Sequence, residues 1–277
     1  MMKLNYDIYY YLIEFIDLET FYNYILLNKE IHGMCMSNIN AIAKYFLNKY
    51  KVEYDDPNNF IYKYVKENYN NEININKYIT DGVWNYESIL KLYMRLSNLQ
   101  IIECCNLEIT SIPILPKMTY FYGVNNKLQV FPVQPSMTIF YGTYNRLKSF
   151  PTQPEMKYFY GNNNDLETFS IQPEMERFVG SNNKLMEFPS QPKMIYFCGN
   201  FNRLTSFPRQ PKMVYFYCEN NFLEDFSMQD EMMYFYGNNN NLKNIPVQPK
   251  MTHFYCKNNQ LEMIPLSVNG SYLWTII

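Results

Sequence analysis

The stretch "MTYFYGVNNKLQVFPVQPS", residues 118–136, is followed by "MTIFYGTYNRLKSFPTQPE", residues 137–155, and "MKYFYGNNNDLETFSIQPE", residues 156–174. One period before the first of these, "LQIIECCNLEITSIPILPK", residues 99–117, fits as a diverged first copy, and the last copy fades after Pro265. Repetition at a fixed period predicts a solenoid in which each unit packs only on its neighbours. The remaining copies begin every 19 residues, at Met175, Met194, Met213, Met232 and Met251.

Each of the nine copies carries the same internal pattern, numbered here from position 1 at its first residue. Apolar residues fall at positions 1, 4, 11 and 14, and the β-rich stretch at positions 3–5 predicts a strand with position 4 inward and positions 3 and 5 outward. Fourteen of the fifteen prolines lie in the repeats, at positions 15 and 18, which excludes a regular helix on the return side. The pattern therefore predicts a parallel sheet about 40 Å long with an extended return.

With asparagine at position 9, this pattern resembles the leucine-rich repeat, LxxLxLxxNxL, and the ending "FPxQP" resembles the "LPxLP" of short repeats in bacterial effector proteins. The chain departs from the family by methionine at position 1, phenylalanine at 4 and 14, and glycine or cysteine at 6. We interpret the small residues at position 6 as making room for the large phenylalanines. The resemblance implies a concave sheet face that binds another protein.

Two ladders of polar or sulfur-bearing residues have structural interpretations. The asparagines at position 9 can pair with backbone groups in the turn after the strand. Cys104, Cys218 and Cys256 occupy position 6, and Cys218 and Cys256 lie two coils apart, about 10 Å, which is beyond the reach of a disulfide. The sequence thus predicts buried free thiols. The asparagine ladder comprises Asn126, Asn145, Asn164, Asn183, Asn202, Asn221, Asn240 and Asn259.

Tyrosines concentrate at the outward strand positions 3 and 5. Tyrosine is enriched at protein interfaces because it offers a large rigid area and a polar tip, so these positions are candidates for target binding. The alternative is cross-strand stacking that stabilises the sheet and binds nothing. The candidate residues are Tyr120, Tyr122, Tyr141, Tyr158, Tyr160, Tyr196, Tyr215, Tyr217, Tyr234, Tyr236 and Tyr255.

The segment before the repeats has helical periodicity. Its first part, "LNYDIYYYLIEFIDLETFYNYILLNKEIHGM", residues 4–34, resembles the F-box, with Asn5 where the family has proline and Ile31 where it has an aromatic residue. The resemblance implies docking to a Skp-family adaptor; a plain helical cap on the solenoid is the alternative. The implied adaptor-binding residues are Leu4, Ile8, Leu12, Ile16, Leu18, Phe21 and Leu27.

These patterns divide the chain into four parts and predict an α+β protein. Residues 1–50 form the F-box-like helical domain, residues 51–98 a helical linker and N-terminal cap, residues 99–269 the nine repeats, and residues 270–277 a tail.

Composition limits the function classes. The net charge of −2 argues against nucleic-acid binding, and no apolar run reaches the length of a membrane span. No signal peptide opens the chain. The two histidines, His32 and His253, lie far apart, and no metal-binding spacing, phosphate loop or paired-carboxylate motif appears. We therefore expect a non-enzymatic, cytoplasmic protein without cofactor, membrane or nucleic-acid partner.

The order of F-box, helical linker and leucine-rich repeats is itself a known family architecture. It implies the substrate-recognition subunit of a cullin–RING ubiquitin ligase, in which the F-box binds the Skp-family adaptor and cullin complex and the repeats hold a target protein. The alternative is a protein-interaction module without any link to a ligase. We expect a monomer apart from these partners, acting in the host cytoplasm if a virus encodes it.

Overall fold

The structure is a computed structural model that describes Thr20 and residues 39–52, 60–69, 79–80, 83–84, 86–262 and 273–275. The chain divides into two compact units, residues 1–98 and residues 99–277. All seven residues predicted to bind the adaptor, between Leu4 and Leu27, lie outside the described residues.

The described part of the first unit contains three helices and a short hairpin. The helices are α1 (Ile39–Lys49), α2 (Phe60–Tyr69) and α3 (Tyr86–Ser97), and the hairpin consists of β1 (Ile79–Thr80) and β2 (Val83–Trp84). α1 buries Ala43, Phe46 and Leu47, which recur at helical spacing. α1 packs on α3, and the rings of Tyr50 and Tyr93 lie 5.1 Å apart. The hairpin was not predicted, since strands of two residues are too short to show a period.

In the second unit, the predicted parallel solenoid is confirmed. Each repeat contributes a three-residue strand at positions 3–5, and every described position 4 is buried. Adjacent strands pair in parallel with matched positions, as in Tyr158↔Arg177 and Arg177↔Tyr196. The nine strands are β3 (Ile101–Glu103), β4 (Tyr120–Tyr122), β5 (Ile139–Tyr141), β7 (Tyr158–Tyr160), β9 (Arg177–Val179), β10 (Tyr196–Cys198), β12 (Tyr215–Tyr217), β14 (Tyr234–Tyr236) and β15 (His253–Tyr255).

A tenth strand extends the sheet beyond the predicted repeats. β16 (Leu273–Thr275) pairs in parallel with β15, and Trp274 takes the register place opposite Phe254. The sequence predicted a tail at residues 270–277, because the repeat motif fades after Pro265. The step from His253 to its partner Leu273 is 20 residues instead of 19, so this strand is out of phase with the repeat.

Stacked phenylalanines fill the interior of the solenoid. The rings at position 4 stack on one another, as in Phe159 and Phe178 with centroids 5.2 Å apart and planes within 7°. The rings at position 14 form a second stack, as in Phe169 and Phe188 at 5.6 Å. Rings of the two stacks meet edge to face, as in Phe169 and Phe178 at 4.9 Å and 76°. Both geometries are favourable for aromatic pairs, so the phenylalanines that replace the family's leucines form one continuous aromatic core.

No helix occurs on the return side within residues 99–262. Two short parallel pairs lie there instead, β6 (Ser149–Phe150) with β8 (Thr168–Phe169) and β11 (Ser206–Phe207) with β13 (Asp225–Phe226). The prolines at positions 15 and 18 explain this, because proline has no amide hydrogen for a helical hydrogen bond.

The asparagines at position 9 form the predicted structural ladder. The side chain of Asn183 accepts a hydrogen bond from the Leu166 amide at 3.0 Å and donates to the carbonyls of Gly161 at 3.0 Å and Gly180 at 3.1 Å. One side chain thus links its own coil to the preceding one. Other members of the ladder, such as Asn145 and Asn164, make the same bonds.

A second ladder, formed by glutamine at position 17, was not predicted. The amide of Gln172 donates to Oε1 of Gln191 at 2.7 Å, and Nε2 of Gln172 donates to the Pro151 carbonyl at 3.0 Å. Each glutamine side chain therefore pairs with backbone groups of the return side, where the prolines themselves offer no amide hydrogen. These side chains are fully buried and comprise Gln134, Gln153, Gln172, Gln191, Gln210, Gln229 and Gln248.

Position 8 of every repeat has a positive φ, between 53° and 60°. Asparagine is the residue other than glycine that tolerates this left-handed conformation best, and it occupies seven of the nine copies. The exceptions are Tyr144 and Phe201, both aromatic and both more than half exposed.

The three cysteines at position 6 are buried and free. They are Cys104, Cys218 and Cys256. Burial raises the pKa of the Cys256 thiol to about 12, and it raises the pKa of Cys218 as well. These thiols therefore stay protonated and act as small apolar side chains.

Candidate protein-binding face

The outer face of the long sheet, formed by positions 3 and 5, carries all eleven predicted tyrosines. We call this surface the tyrosine face. The parallel register places identical positions side by side, so that Tyr196 lies beside Tyr215 and Tyr215 beside Tyr234. The tyrosines consequently form two columns that run across the strands.

Rings in the position-5 column stack on one another. Tyr141 and Tyr160 lie 4.2 Å apart with planes within 1°. Tyr236 stacks on Tyr217 at 4.7 Å and on Tyr255 at 4.5 Å. Between these two stacks the column is interrupted by Val179 and Cys198, which are much smaller.

The position-3 column is more mixed. Tyr215 stacks on Tyr234 at 4.9 Å, and Tyr234 stacks on His253 at 4.4 Å. At the other end, Tyr120 lies 5.7 Å from Tyr141 of the neighbouring column. The tyrosines thus form one group toward each end of the sheet.

Arg177 separates the two groups. Its guanidinium carbon lies 4.4 Å from the ring centroid of Tyr196, a cation–π contact. On the other side, the hydroxyl of Tyr158 donates a hydrogen bond to Glu176 Oε2 at 3.2 Å.

Three hydroxyls of the tyrosine face have raised pKa values and stay protonated at neutral pH. Burial raises the pKa of Tyr196 to about 12. For Tyr141, burial and then a hydrogen bond with Tyr160 raise the pKa to about 12. Hydrogen bonding to Glu176 raises the pKa of Tyr158. The Tyr196 hydroxyl can therefore both donate and accept hydrogen bonds toward a partner, whereas the Tyr158 hydroxyl already donates to Glu176 and can only accept.

Residues at position 2, just before each strand, differ between the two ends of the sheet. Ile195, Val214 and Met233 are apolar, and Ile195 and Met233 are more than a third exposed, whereas the last copy has Thr252. Toward the N-terminal end the same position holds Thr119, Thr138 and Lys157. The C-terminal part of the tyrosine face therefore has an additional apolar border, which the sequence analysis did not assign.

One residue of the tyrosine face, Arg177, was not among the predicted binding residues. Arg177 replaces tyrosine at position 3 of the fifth copy, and this break in the repeat was the available signal.

Within the described residues no group of three or more histidine, cysteine, aspartate or glutamate side chains could hold a metal ion. Nor does any helix in that part of the chain have the length and apolar character needed to cross a membrane.

Solved structures with similar folds are leucine-rich-repeat effectors. YopM, a leucine-rich effector protein from Yersinia pestis, has a TM-score of 0.54 and 23% identity over 66% of this chain and 55% of that one. The fold is that of the leucine-rich repeats. YopM from Yersinia enterocolitica WA-314 has a TM-score of 0.50 and 20% identity over 64% of this chain and 46% of that one. The matched part is thus about half the length of either YopM chain.

These structures confirm the leucine-rich-repeat interpretation of the sequence and are similar in fold alone. No protein-family model matches the chain, and no curated protein sequence matches it.

Proposed function

We propose that this protein binds a partner protein through its tyrosine face and does no chemistry itself. The observation that supports this most directly is the gathering of eleven half-buried or exposed tyrosines on the outer side of one sheet. Leucine-rich-repeat folds are extended scaffolds whose long surfaces suit protein binding. The likeness to effector proteins supports an effector-like role inside a cell, and we place the protein in the cytoplasm.

Stacking makes these tyrosines suitable anchors. A ring held at 4.2 to 4.9 Å from its neighbour has already lost much of its rotamer freedom, so binding costs less entropy. Stacking also contributes to sheet stability, which is the alternative interpretation. That alternative also accounts for the stacks, so it has to be distinguished from partner binding by experiment.

A comparison of two variants separates the interpretations. Tyr158→Ala/Tyr160→Ala/Tyr215→Ala truncates the middle of the tyrosine face. Tyr144→Ala removes a tyrosine that is 58% exposed but lies at position 8, outside this face. Partners would be captured from cell lysate by the wild type and quantified by mass spectrometry against both variants. We expect the triple variant to lose them while Tyr144→Ala keeps them, because single interface anchors are each worth about 2–4 kcal/mol. If the triple variant keeps the partners, these tyrosines stabilise the sheet by stacking and do not bind the partners.

A finer hypothesis adds a ubiquitin-ligase role. The F-box-like sequence at residues 4–34 supports docking to a Skp-family adaptor, which would bring the bound target close to a ligase and raise its effective concentration there. The plain interaction module is equally supported by the fold. Binding of purified adaptor to the full chain distinguishes the two.

Calorimetry with the full chain provides this test. We expect the wild type to bind adaptor and Leu18→Asp/Phe21→Asp to lose binding, because charges replace apolar contacts. Met186→Asp, at a position that is 59% exposed in the repeats, controls for the added charge. Wild-type protein that fails to bind adaptor would remove the ligase hypothesis and leave the binding module intact.

A further inference from the structure

Arg177 is the only cationic side chain, histidine apart, at positions 3 and 5 of the described strands of the long sheet. It lies on the fifth of nine repeat strands, directly between Tyr158 and Tyr196. The one acidic residue at these positions is Glu103, on the first repeat strand, four strands away. A single cationic side chain therefore stands at the centre of a mainly aromatic surface whose one acidic residue is four strands away.

The contacts of Arg177 leave its hydrogen-bond donors available. Its guanidinium lies over the Tyr196 ring, and among the described residues no carboxylate comes within 4.0 Å of it to form an ion pair. The nearest acidic neighbour along the chain, Glu176, accepts a hydrogen bond from Tyr158. Stacking on an aromatic face fixes the guanidinium plane and keeps its N–H groups, which lie in that plane, free for a planar anion.

The position-5 side chains next to Arg177 are smaller than the tyrosines on the rest of the tyrosine face, which leaves a depression there. Val179 and Cys198 replace tyrosine at position 5 on two consecutive strands, so that Tyr160 and Tyr217 stand three strand spacings apart, about 14 Å. Tyr196 leans across part of this interval, with its ring 5.4 Å from that of Tyr217. A side chain of a partner could enter here and reach the guanidinium.

The hydroxyl groups of three tyrosines lie within the electrostatic influence of Arg177. The charge of Arg177 acts on Tyr141, Tyr158 and Tyr196, where it opposes the rise in pKa that burial or hydrogen bonding produces. Since the net effect on all three is a raised pKa, their hydroxyls stay protonated. The Tyr196 hydroxyl can add a hydrogen-bond donor to those of the guanidinium, whereas the Tyr158 hydroxyl already donates to Glu176.

We propose that Arg177, together with the Tyr196 hydroxyl, binds an acidic group, a carboxylate or phosphate, on an extended peptide segment of the partner. Apolar or aromatic residues on either side of that group contact the two tyrosine groups. The proposal rests on the proposed function of the tyrosine face and adds the chemistry of what it recognises. Charge-assisted hydrogen bonds supply the selectivity, because an uncharged analogue would leave the guanidinium desolvated and unpaired.

A random peptide library displayed on phage tests this with the full chain. Wild type, Arg177→Gln and Arg177→Glu would be panned in parallel. Arg203→Gln serves as the matched control, since Arg203 is an exposed arginine at position 10 of the next copy, away from the tyrosine face. We expect peptides selected on the wild type and on Arg203→Gln to carry aspartate or glutamate beside aromatic or apolar residues. Arg177→Gln should lose the acidic preference, and Arg177→Glu should select lysine or arginine in its place.

The best peptide would then be synthesised with glutamate, glutamine or phosphoserine at the acidic position. We expect glutamine to bind about tenfold more weakly than glutamate to the wild type and equally to Arg177→Gln. Tighter binding of the phosphoserine peptide than of the glutamate peptide would identify phosphate as the preferred group; the reverse would identify carboxylate.

Two outcomes overturn the proposal in distinguishable ways. If peptides bind the wild type and depend on the tyrosines but lack an acidic preference, or if Arg177→Gln selects the same peptides, Arg177 only stacks on Tyr196 and the binding function stands. If the wild type selects no peptides that the triple tyrosine variant loses, the proposed function of this face fails together with the inference.

Discussion

The ring of Phe178 occupies the space where Gly180 would carry a β-carbon: that carbon would lie 2.3 Å from Cζ of Phe178. The same relationship holds in five other repeats, with distances of 2.2 to 2.4 Å to the phenylalanine two residues earlier. Because such atoms cannot approach below about 3 Å without a shift, glycine at position 6 and phenylalanine at position 4 depend on each other. The requirement is steric, since none of these glycines has a positive φ.

We predict that Gly180→Ala destabilises the solenoid by about 1–3 kcal/mol, the usual cost of overpacking a core. In the Phe178→Leu background the same substitution should cost less, because leucine lacks the ring atoms that clash. Urea denaturation of the four proteins of this double-mutant cycle measures the coupling. Equal costs in both backgrounds would show that the ring does not set the requirement.

Two natural exceptions indicate how the core would respond. Among the copies with phenylalanine at position 4, Cys218 and Cys256 stand where the others have glycine, next to Phe216 and Phe254. Phe216 and Phe254 each make a larger angle with Phe235, 26° and 28°, than the 7° between Phe159 and Phe178. The stack is therefore less parallel where cysteine replaces glycine, and we expect the Phe178 ring of Gly180→Ala to tilt at the expense of its packing.

The asparagine ladder predicts a second effect on stability. Asn183→Ala removes the acceptor of the Leu166 amide and the donor to the carbonyls of Gly161 and Gly180, all in the buried turn. Leaving such groups unpaired costs about 1–3 kcal/mol. Asn241→Ala is the control, since that side chain makes no hydrogen bond with another described residue. A urea midpoint for Asn183→Ala as high as that of the control would contradict a structural role.

The glutamine ladder predicts a comparable loss on the return side. Gln191→Leu preserves the size of the side chain and copies Leu115, which holds this position in the first repeat. It leaves the Gln172 amide, 2.7 Å from Gln191 Oε1, without its acceptor inside the core. We expect a cost of about 1–3 kcal/mol in thermal or urea unfolding. The exposed Gln129→Leu should change stability far less, and a similar effect of both variants would refute the ladder.

The sequence predicted what depends on the period and missed what depends on local exceptions. Inward and outward strand positions, the space at position 6 and the role of Asn183 all follow from residues that recur in phase. Gln191 recurs equally well, but a polar residue between prolines is typical of an exposed return. Its burial follows only once the prolines are seen to leave backbone groups unpaired. Periodicity also gives no sign of β16, whose strand is 20 residues from its neighbour.

The sequence shows Arg177 among the tyrosines of position 3, but it does not show which side chains surround it. In the repeat pattern, one arginine among tyrosines looks like a chance departure. The strand register places it at the centre of the sheet, with its guanidinium over the Tyr196 ring. The missing tyrosines at Val179 and Cys198 acquire significance for the same reason, because only the parallel pairing shows that they adjoin Arg177. Sites formed by departures from a repeat require the three-dimensional neighbourhood of each departure.

Phe201 holds a left-handed φ of 56°, at a position where seven other copies have asparagine. A bulky side chain in this conformation strains the backbone, whereas asparagine tolerates it, and the 54% exposure of Phe201 means that little apolar burial is lost on replacement. We expect Phe201→Asn to stabilise the protein by about 1 kcal/mol, measured as a higher urea midpoint. Asn182→Phe, the reverse change at φ 56° in the preceding copy, should lower it. If Phe201→Asn left the midpoint unchanged or reduced it, the phenylalanine would be held by contacts that outweigh the strain, and position 8 would not be governed by backbone conformation.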